Sequence, residues 1–345
     1  MSEASKTFGA KTLIEIATRV INGMGAPIDL AEKVANSLVL SNLVGHDSHG
    51  IIRLVEYSGW VQAGNLKPNI YPKLEFNNEA TALVDGGWGW GQSASYLATE
   101  TLIASAQKFG TASVVLSKTN HVGRLGEYVD LIAEAGLMGI AFCNTGGPIV
   151  APFGGTKRVM GTNPFAWALP GSDKFNYVLD FSTAVVAAGK IILAGMSGES
   201  IDPGLILDKY GAPTTRAEDL MEGGVLLAFG GHKGSGMSAL IDLAAGAMAG
   251  NMPAAISDSG YGNGTVLIAM DIARFASILD FRRVAGELQT IMHTAGEPGK
   301  VLMPGEFEYQ CRIDRETSGV KISAGIQRNI CEVAGLYGVE IPEFF

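Results

Sequence analysis

The sequence predicts an α/β protein in which a helical N-terminal segment precedes a domain built on a sizeable sheet. Two observations carry that prediction. From Leu74 onward, short β-like runs alternate with helical patterns, the texture of a sheet with helices packed on it. Before that point, residues 10–62 repeat their apolar positions at helical spacing, and Gly64, Pro68 and Pro72 interrupt the chain between the two textures. At 345 residues there is enough chain for two domains and a large core. We therefore divide the chain into a helical segment (1–73), an α/β domain (74–290) and a C-terminal segment (291–345) that packs back on the N-terminal helices.

The first helix is expected from Lys11 to Gly23. A second begins at a capping-box-like Asp29 and Glu32, buries Leu30, Val34 and Leu38, and ends at Gly45. A third, capped by Asp47 or Ser48, runs to about Gln62 and carries His49 and Arg53 four residues apart. That spacing returns to within about 40° of one face, so both groups reach one small anion. Ile51, Leu54, Val55, Ser58 and Val61 form the opposite, buried stripe, with Tyr57 and Trp60 near the His49/Arg53 face. A solvated polar face is the ordinary use of such a pair, but an indole beside it calls for cover by a pocket wall or a second subunit.

In the α/β domain the strands are Thr81–Asp85, Ala112–Leu116 and Met138–Phe142. The turn Gly86–Gly91 lacks the G-x-G-x-x-G spacing, and the chain contains no G-x-x-x-x-G-K-[ST]. Ligands of such sheets sit at the carboxyl ends of strands, which makes His121, in the segment Ser117–Arg124, a catalytic candidate. Gly146–Pro148, Pro152–Gly155 and Gly161–Pro164 are turns, or places where backbone N–H groups approach a ligand. Tyr177–Thr183 reads as a strand ending in an acid and two hydroxyls, and Asp180 suits either the orientation of a histidine or the cap of the Ala-rich helix that follows. Residues 196–224 read as an irregular surface excursion.

Gly230–Gly236 then opens a helix reaching about Gly250. Unpaired N–H groups and Lys233 make this a phosphate seat, or else a flexible turn with an exposed lysine. A loop from Asp258 to Gly264, a strand Thr265–Asp271, a helix from Arg274 to about His293, the turn Met303–Glu306 and a final helix from about Ser323 to Gly335 complete the chain.

Composition narrows the function. A net charge of −9 speaks against nucleic acid as the main partner. No apolar run reaches about 18 residues, so no membrane span is expected, and the N-terminus lacks a signal core, which points to the cytoplasm. The three cysteines show no metal or redox spacing, and the five histidines show no H-x-H or H-x-x-x-H pair, so no metal is expected.

Six motifs stand in order: Asp47-Ser48-His49-Gly50 with Arg53, Asn120-His121, Gly161-Thr162-Asn163-Pro164, Leu179-Asp180-Phe181-Ser182-Thr183, Gly231-His232-Lys233-Gly234 and Pro304-Gly305-Glu306. Together they resemble the type-2 malate/L-lactate dehydrogenase family, which also includes ureidoglycolate, sulfolactate and 2,3-diketogulonate oxidoreductases and some cyclic imine reductases. The resemblance covers nearly the whole chain and is poorly specific for substrate. It implies a non-Rossmann, mixed-sheet nicotinamide-binding domain with a helical domain formed by the N- and C-terminal segments. It also implies hydride transfer between NAD or NADP and C2 of a small 2-hydroxy or 2-oxo acid, or reduction of a cyclic imine 2-carboxylate.

By position, Ser48, His49, Arg53 and Tyr57 match the substrate-binding residues, and His121, His49 and Asp180 the catalytic group. His121 is taken as the acid/base, with His49 donating to the 2-oxygen and Asp180 holding one imidazole, although family members are described with either histidine in the first role. Cofactor contacts are implied at Asn144, Thr162, Asp180, Phe181, Ser182, Thr183, Ala184, Val185, Val186, His232, Lys233, Pro304, Gly305 and Glu306. The implied partners are a small carboxylate substrate and a second copy of the chain, with the active site near the subunit interface. The chemistry suits the residues: hydride addition to a C2 carbonyl leaves an alkoxide that needs a proton from a group such as histidine, while Arg53 pairs with the substrate carboxylate.

Overall fold

Apolar residues three and four apart bury one face of each N-terminal helix and set the first layer. The protein is described from a computed structural model, which covers residues 5–172, 174–256, 262–343 and 345. In chain order the helical layer begins with β1 (Lys6–Phe8), α1 (Ala10–Gly23), α2 (Ile28–Leu43) and α3 (Arg53–Gln62). The α/β layer follows with β2 (Lys73–Asn78), β3 (Thr81–Asp85), α4 (Gly91–Phe109), β4 (Thr111–Ser117), α5 (Leu125–Glu134), β5 (Leu137–Cys143), β6 (Phe165–Leu169) and β7 (Tyr177–Phe181). Then come α6 (Ala188–Ser197), β8 (Ile206–Leu207), β9 (Pro213–Thr214), β10 (Val225–Leu226), α7 (His232–Ile241), β11 (Thr265–Asp271) and α8 (Ile278–His293). The chain closes with α9 (Glu306–Ser318), β12 (Val320–Ile322) and α10 (Ala324–Leu336).

One core joins the two ends of the chain. Leu13, Ile16, Val20 and Ile21 of α1 pack with Leu30, Val34 and Leu38 of α2, and with Ile330, Val333 and Ala334 of α10. β12 pairs antiparallel with β1, and Phe345 sets its ring 4.9 Å from that of Phe8.

The second core lies on a seven-stranded mixed sheet of order β2-β3-β4-β11-β5-β6-β7. Only β3 and β4 run parallel, so the fold is not a Rossmann fold, in agreement with the missing fingerprint. β11 lies between β4 and β5 and is antiparallel to both, with Thr265 facing Leu116 on one side and Cys143 on the other. Ala94, Ala98, Leu102 and Ala106 of α4, with Leu125, Val129 and Ile132 of α5, cover this sheet. Contact is close: a Cβ at Gly139 would lie 2.9 Å from the Ile132 side chain and 3.2 Å from the Val129 carbonyl. No described helix is long and apolar enough to cross a membrane.

Four expectations need correction. The third helix does not run from Ser48: Asp47–His49 is a single 3-10 turn, Gly50 is extended at φ −85°, ψ −156°, and α3 starts at Arg53. Steric contact explains the break, since a Cβ at Gly50 would lie 2.2 Å from Asn42 Oδ1, which instead accepts the Ile51 N–H at 2.9 Å. On the buried stripe, Ile51, Leu54 and Ser58 are buried as expected, whereas Val55 is exposed and Tyr57 is buried at 1% exposure. Residues 196–224 are not merely irregular, for β8, β9 and β10 form a small sheet whose Ile206, Leu226 and neighbouring Leu220 pack on Val150, Met160 and Ile191. Two-residue strands are too short to display a period. Finally, α9 was not expected, and the helix from His232 gives way to a π-helical segment at Asp242–Ala247. The loop expected at Asp258–Gly264 lies outside the described residues up to 261.

Candidate active site

Three loops and one helix bring the expected residues together. The loop after β4 carries His121 and is fixed by buried amides. Asn120 donates to the carbonyl of Trp88 at 2.8 Å, and Asn263 Oδ1 accepts the Val122 N–H at 3.1 Å. The turn Gly86–Gly91 seats this loop, because a Cβ at Gly91 would lie 2.4 Å from the carbonyls of both Asn120 and His121. From the helical layer, the Asp47–His49 turn is held by α9, where Arg315 forms two bonds to Asp47 at 2.8 and 3.1 Å and Glu308 accepts from His46 at 3.1 Å.

The rings of His49 and His121 stack with centroids 5.5 Å apart and planes at 27°. Each Nδ1 has a protein partner: the Ser48 hydroxyl lies 3.1 Å from that of His49, and the Tyr57 hydroxyl 2.8 Å from that of His121. Among the described residues no hydrogen bond engages either Nε2, which leaves these nitrogens for a ligand. Gln92, 1% exposed, donates its amide to the Tyr57 oxygen at 2.6 Å. Although His49 and Arg53 do not share a helix, they still meet, because Arg53 Nε donates to the Ser48 carbonyl at 2.7 Å. Arg53 also pairs with Glu56 on its own helix.

Electrostatics follow from burial beside a fixed cation. Burial first, then Arg53, His46 and Arg124, push the His49 imidazole down to about 3. Burial, then Arg53 and His49, hold His121 well below the usual histidine range. Both rings are therefore neutral near pH 7, and the positive charge of the site rests on the guanidinium groups. Such a site attracts an anion.

Asp180 goes elsewhere. Its carboxylate accepts the Gly126 N–H at 2.7 Å at the start of α5, and no hydrogen bond joins it to His49 or His121 among the described residues. It thus caps neither the helix that follows it nor an imidazole, but the preceding α5. Burial raises its pKa against the opposing pull of Arg124.

The expected cofactor residues form a stitched belt around β7. Ser182 and Thr183 hydroxyls donate to the Thr162 carbonyl at 2.9 and 3.0 Å, and Asn144 donates to Asp242 of the π-helical segment at 2.9 Å. Thr183 and Ala184 are buried, Phe181, Ser182 and Val186 half-buried, and Val185 exposed. His232 and Lys233 are exposed in the first turn of α7, entered through Gly230 and Gly231 at φ +55° and +60°. Pro304 accepts the Val178 N–H at 3.1 Å, and Gly305, at φ +85°, lies against the same strand. Glu306 turns inward, accepting from Met303 N at 2.9 Å and pairing with His293 at 2.8 Å.

A cleft of about 500 Å³ opens beside this belt, lined among others by Arg124, Val178, Gly305, Glu308 and Tyr309. Its lining includes neither imidazole, and His232 and Lys233 do not line it either. Arg124 is 8% exposed, and its buried Nε has no hydrogen-bond partner among the described residues. A guanidinium at the wall of a cleft fits an anionic group, such as a dinucleotide carries. Neither Arg124 nor Gln92 was singled out by sequence. Arg124 adjoins the His121 motif and offered a signal through its charge, whereas Gln92 offered none until the fold placed it behind Tyr57. No group of three or more metal-ligating side chains gathers among the described residues.

Comparison with known proteins places this arrangement. The sequence profile of malate/L-lactate dehydrogenase matches residues 8–331. Hydroxycarboxylate dehydrogenase B of Escherichia coli O157:H7 is 32% identical, over 98% of this chain and 96% of its own length. A Delta(1)-pyrroline-2-carboxylate reductase of Ancylobacter novellus is 33% identical, over 90% of this chain and 91% of its own. The solved sulfolactate dehydrogenase of Methanocaldococcus jannaschii superposes with a TM-score of 0.87 at 30% identity, covering 97% of this chain and 98% of that one. With a profile match across most of its length, relatives of matching length and the same mixed-sheet fold, the chain belongs to the malate/L-lactate dehydrogenase family.

Proposed function

We propose that this protein transfers a hydride between a nicotinamide dinucleotide, NAD or NADP, and C2 of a small 2-hydroxy or 2-oxo acid. The observation that carries the proposal is the stacked, neutral His49/His121 pair beside Arg53. The nicotinamide, when bound, supplies or accepts the hydride at C2. Every other part of the reaction falls to side chains. Arg53, with Ser48, holds the substrate carboxylate, and the charge-assisted bonds orient C2. An arriving carboxylate neutralises Arg53 and so removes the cause that, after burial, does most to keep both imidazoles uncharged. His121 in its imidazolium form then gives the Nε2 proton to the forming alkoxide and is left neutral, or as the neutral ring takes that proton in the opposite direction, while His49 donates a hydrogen bond to the same oxygen.

The belt from Asp180 to Val186, with Asn144, Thr162, His232, Lys233, Pro304 and Gly305, holds the dinucleotide, and Arg124 meets one of its anionic groups. Glu306 and Asp180 act by shaping that belt and the start of α5. We assign the protein to the cytoplasm and to a homodimer, and keep the division of the chain at residues 73/74 and 290/291. A second reading has a specific support. The relative from Ancylobacter novellus is named for reduction of a cyclic imine carboxylate, and Arg53 and His121 would serve that substrate equally.

The test is a fluorescence titration of the purified protein with NADH and NADPH, followed by absorbance assays against 2-oxo acids and cyclic imines. Tight binding of one cofactor and its consumption by one acid is the expected result. Consumption only by a cyclic imine selects the second reading, and binding of neither cofactor refutes both.

A further inference from the structure

We propose that Gln92 is a positioning residue that, through Tyr57, sets which nitrogen of His121 carries the hydrogen. The inference rests on the reading of His121 as the acid/base. Tyr57 and Gln92 are each 1% exposed, so no solvent competes for their polar groups. The Tyr57 oxygen lies 2.6 Å from the Gln92 amide nitrogen and 2.8 Å from His121 Nδ1. An amide nitrogen can only donate, so the phenol oxygen accepts from Gln92 and its single hydrogen points to Nδ1. Nδ1 is thus an acceptor, and the neutral ring must carry its hydrogen on Nε2. Among the described residues that nitrogen has no hydrogen-bond partner.

In this state His121 is a neutral donor, suited to polarising the carbonyl of a 2-oxo acid. It is the wrong state for taking a proton. Rotation of the Gln92 amide by 180° places Oε1 against the phenol, which then donates to Gln92 and accepts Nδ1–H from the ring. The Nε2 lone pair now faces the substrate. As the O–H proton of a 2-hydroxy acid passes to Nε2, the C2 hydride leaves to the oxidised nicotinamide, and the products are a carbonyl and an imidazolium still bonded through Nδ1–H to Tyr57. In the opposite direction the imidazolium returns that proton to the oxygen as hydride arrives at C2. One buried amide, with no contact to substrate, therefore separates the donor form of the ring from the proton-accepting form. The charged and titratable groups acting on that ring are Arg53, His49 and Tyr57.

The experiment is long-range ¹H–¹⁵N NMR of the full-length protein, labelled at histidine and free of substrate, with His121→Gln used to assign the signal. Wild type is expected to show an unprotonated Nδ1 and a protonated Nε2. Gln92→Glu, once its carboxyl is ionised, offers only acceptor oxygens, so its expected result at high pH is the reverse tautomer, together with a pH limb of 2-oxo acid reduction moved upward by about one unit or more. Gln92→Leu should lose most of the preference. If Gln92→Glu fails to fold, Tyr57→Phe removes the donor to Nδ1 and must weaken the wild-type preference. A wild-type ring protonated at Nδ1, or the same tautomer in wild type and every folded variant, overturns the proposal. Because the tautomer is read without substrate, a tautomer that responds as expected in a protein that turns over no acid or imine would fault the assigned reaction instead.

Discussion

Two imidazoles kept neutral beside a guanidinium make a site that changes character when an anion arrives. On that basis His121→Gln should lose about 10²- to 10⁴-fold in kcat, and His49→Gln substantially less, measured at saturating substrate. The reverse ranking moves the acid/base role to His49. Arg53→Gln should raise KM for the 2-oxo acid about 10- to 100-fold through the lost charge-assisted bonds, with thermal stability little changed because its Glu56 partner is exposed. These residues were legible because each has few chemical uses and stands in a short motif. Gln92 and Arg124 were not, since their importance lies in what they face: a buried phenol in one case and a cleft in the other. Asp180 was read by type and place in sequence, and those told nothing of the Gly126 N–H that it meets across space.

Elements were legible where a period had room to repeat. The strands β4 and β5 and the helices α1 and α2 each show it over seven residues or more. α9 did not, because its sequence Glu-Phe-Glu-Tyr-Gln-Cys-Arg-Ile-Asp-Arg-Glu-Thr-Ser is polar nearly all round and buries little beyond Glu306. Yet α9 grips the Asp47–His49 turn and its neighbour His46 through Arg315 and Glu308. Arg315→Gln should therefore lower kcat/KM several-fold while costing less than about 1 kcal/mol of stability, as expected of a partly exposed ion pair. Urea unfolding and steady-state kinetics on one preparation check both halves. Equal losses of stability and activity would mean that α9 supports the fold only. The break at Gly50 has a similar lesson, because His49 and Arg53 converge through a 3-10 turn and a backbone carbonyl rather than through helical spacing.

For the whole molecule, the neutral imidazoles have a consequence in acid. Unfolded histidine takes up its proton near 6.5, whereas folded His49 does so only at about 3 and His121 well below its usual range. Between those values the unfolded chain binds more protons, so stability is full above about pH 6.5 and declines as pH falls toward 3. Chemical denaturation from pH 7 to 4 should show that decline, and His49→Gln should flatten it. A slope unchanged in the variant would place the acid sensitivity in other groups. The α/β class and the two apolar cores were written in the sequence as patterns of burial, whereas strand order was not, because pairing partners leave no periodic mark. β11 is the clearest instance. The central strand of the sheet is contributed by residues 265–271, more than 120 positions after β5, one of the two strands it joins, has ended. Until that stretch leaves the ribosome, β4 and β5 stand as facing edges with unpaired backbone groups, the usual template for association between nascent chains. Synthesis thus runs through a long interval in which the two halves of the sheet lack the strand that joins them.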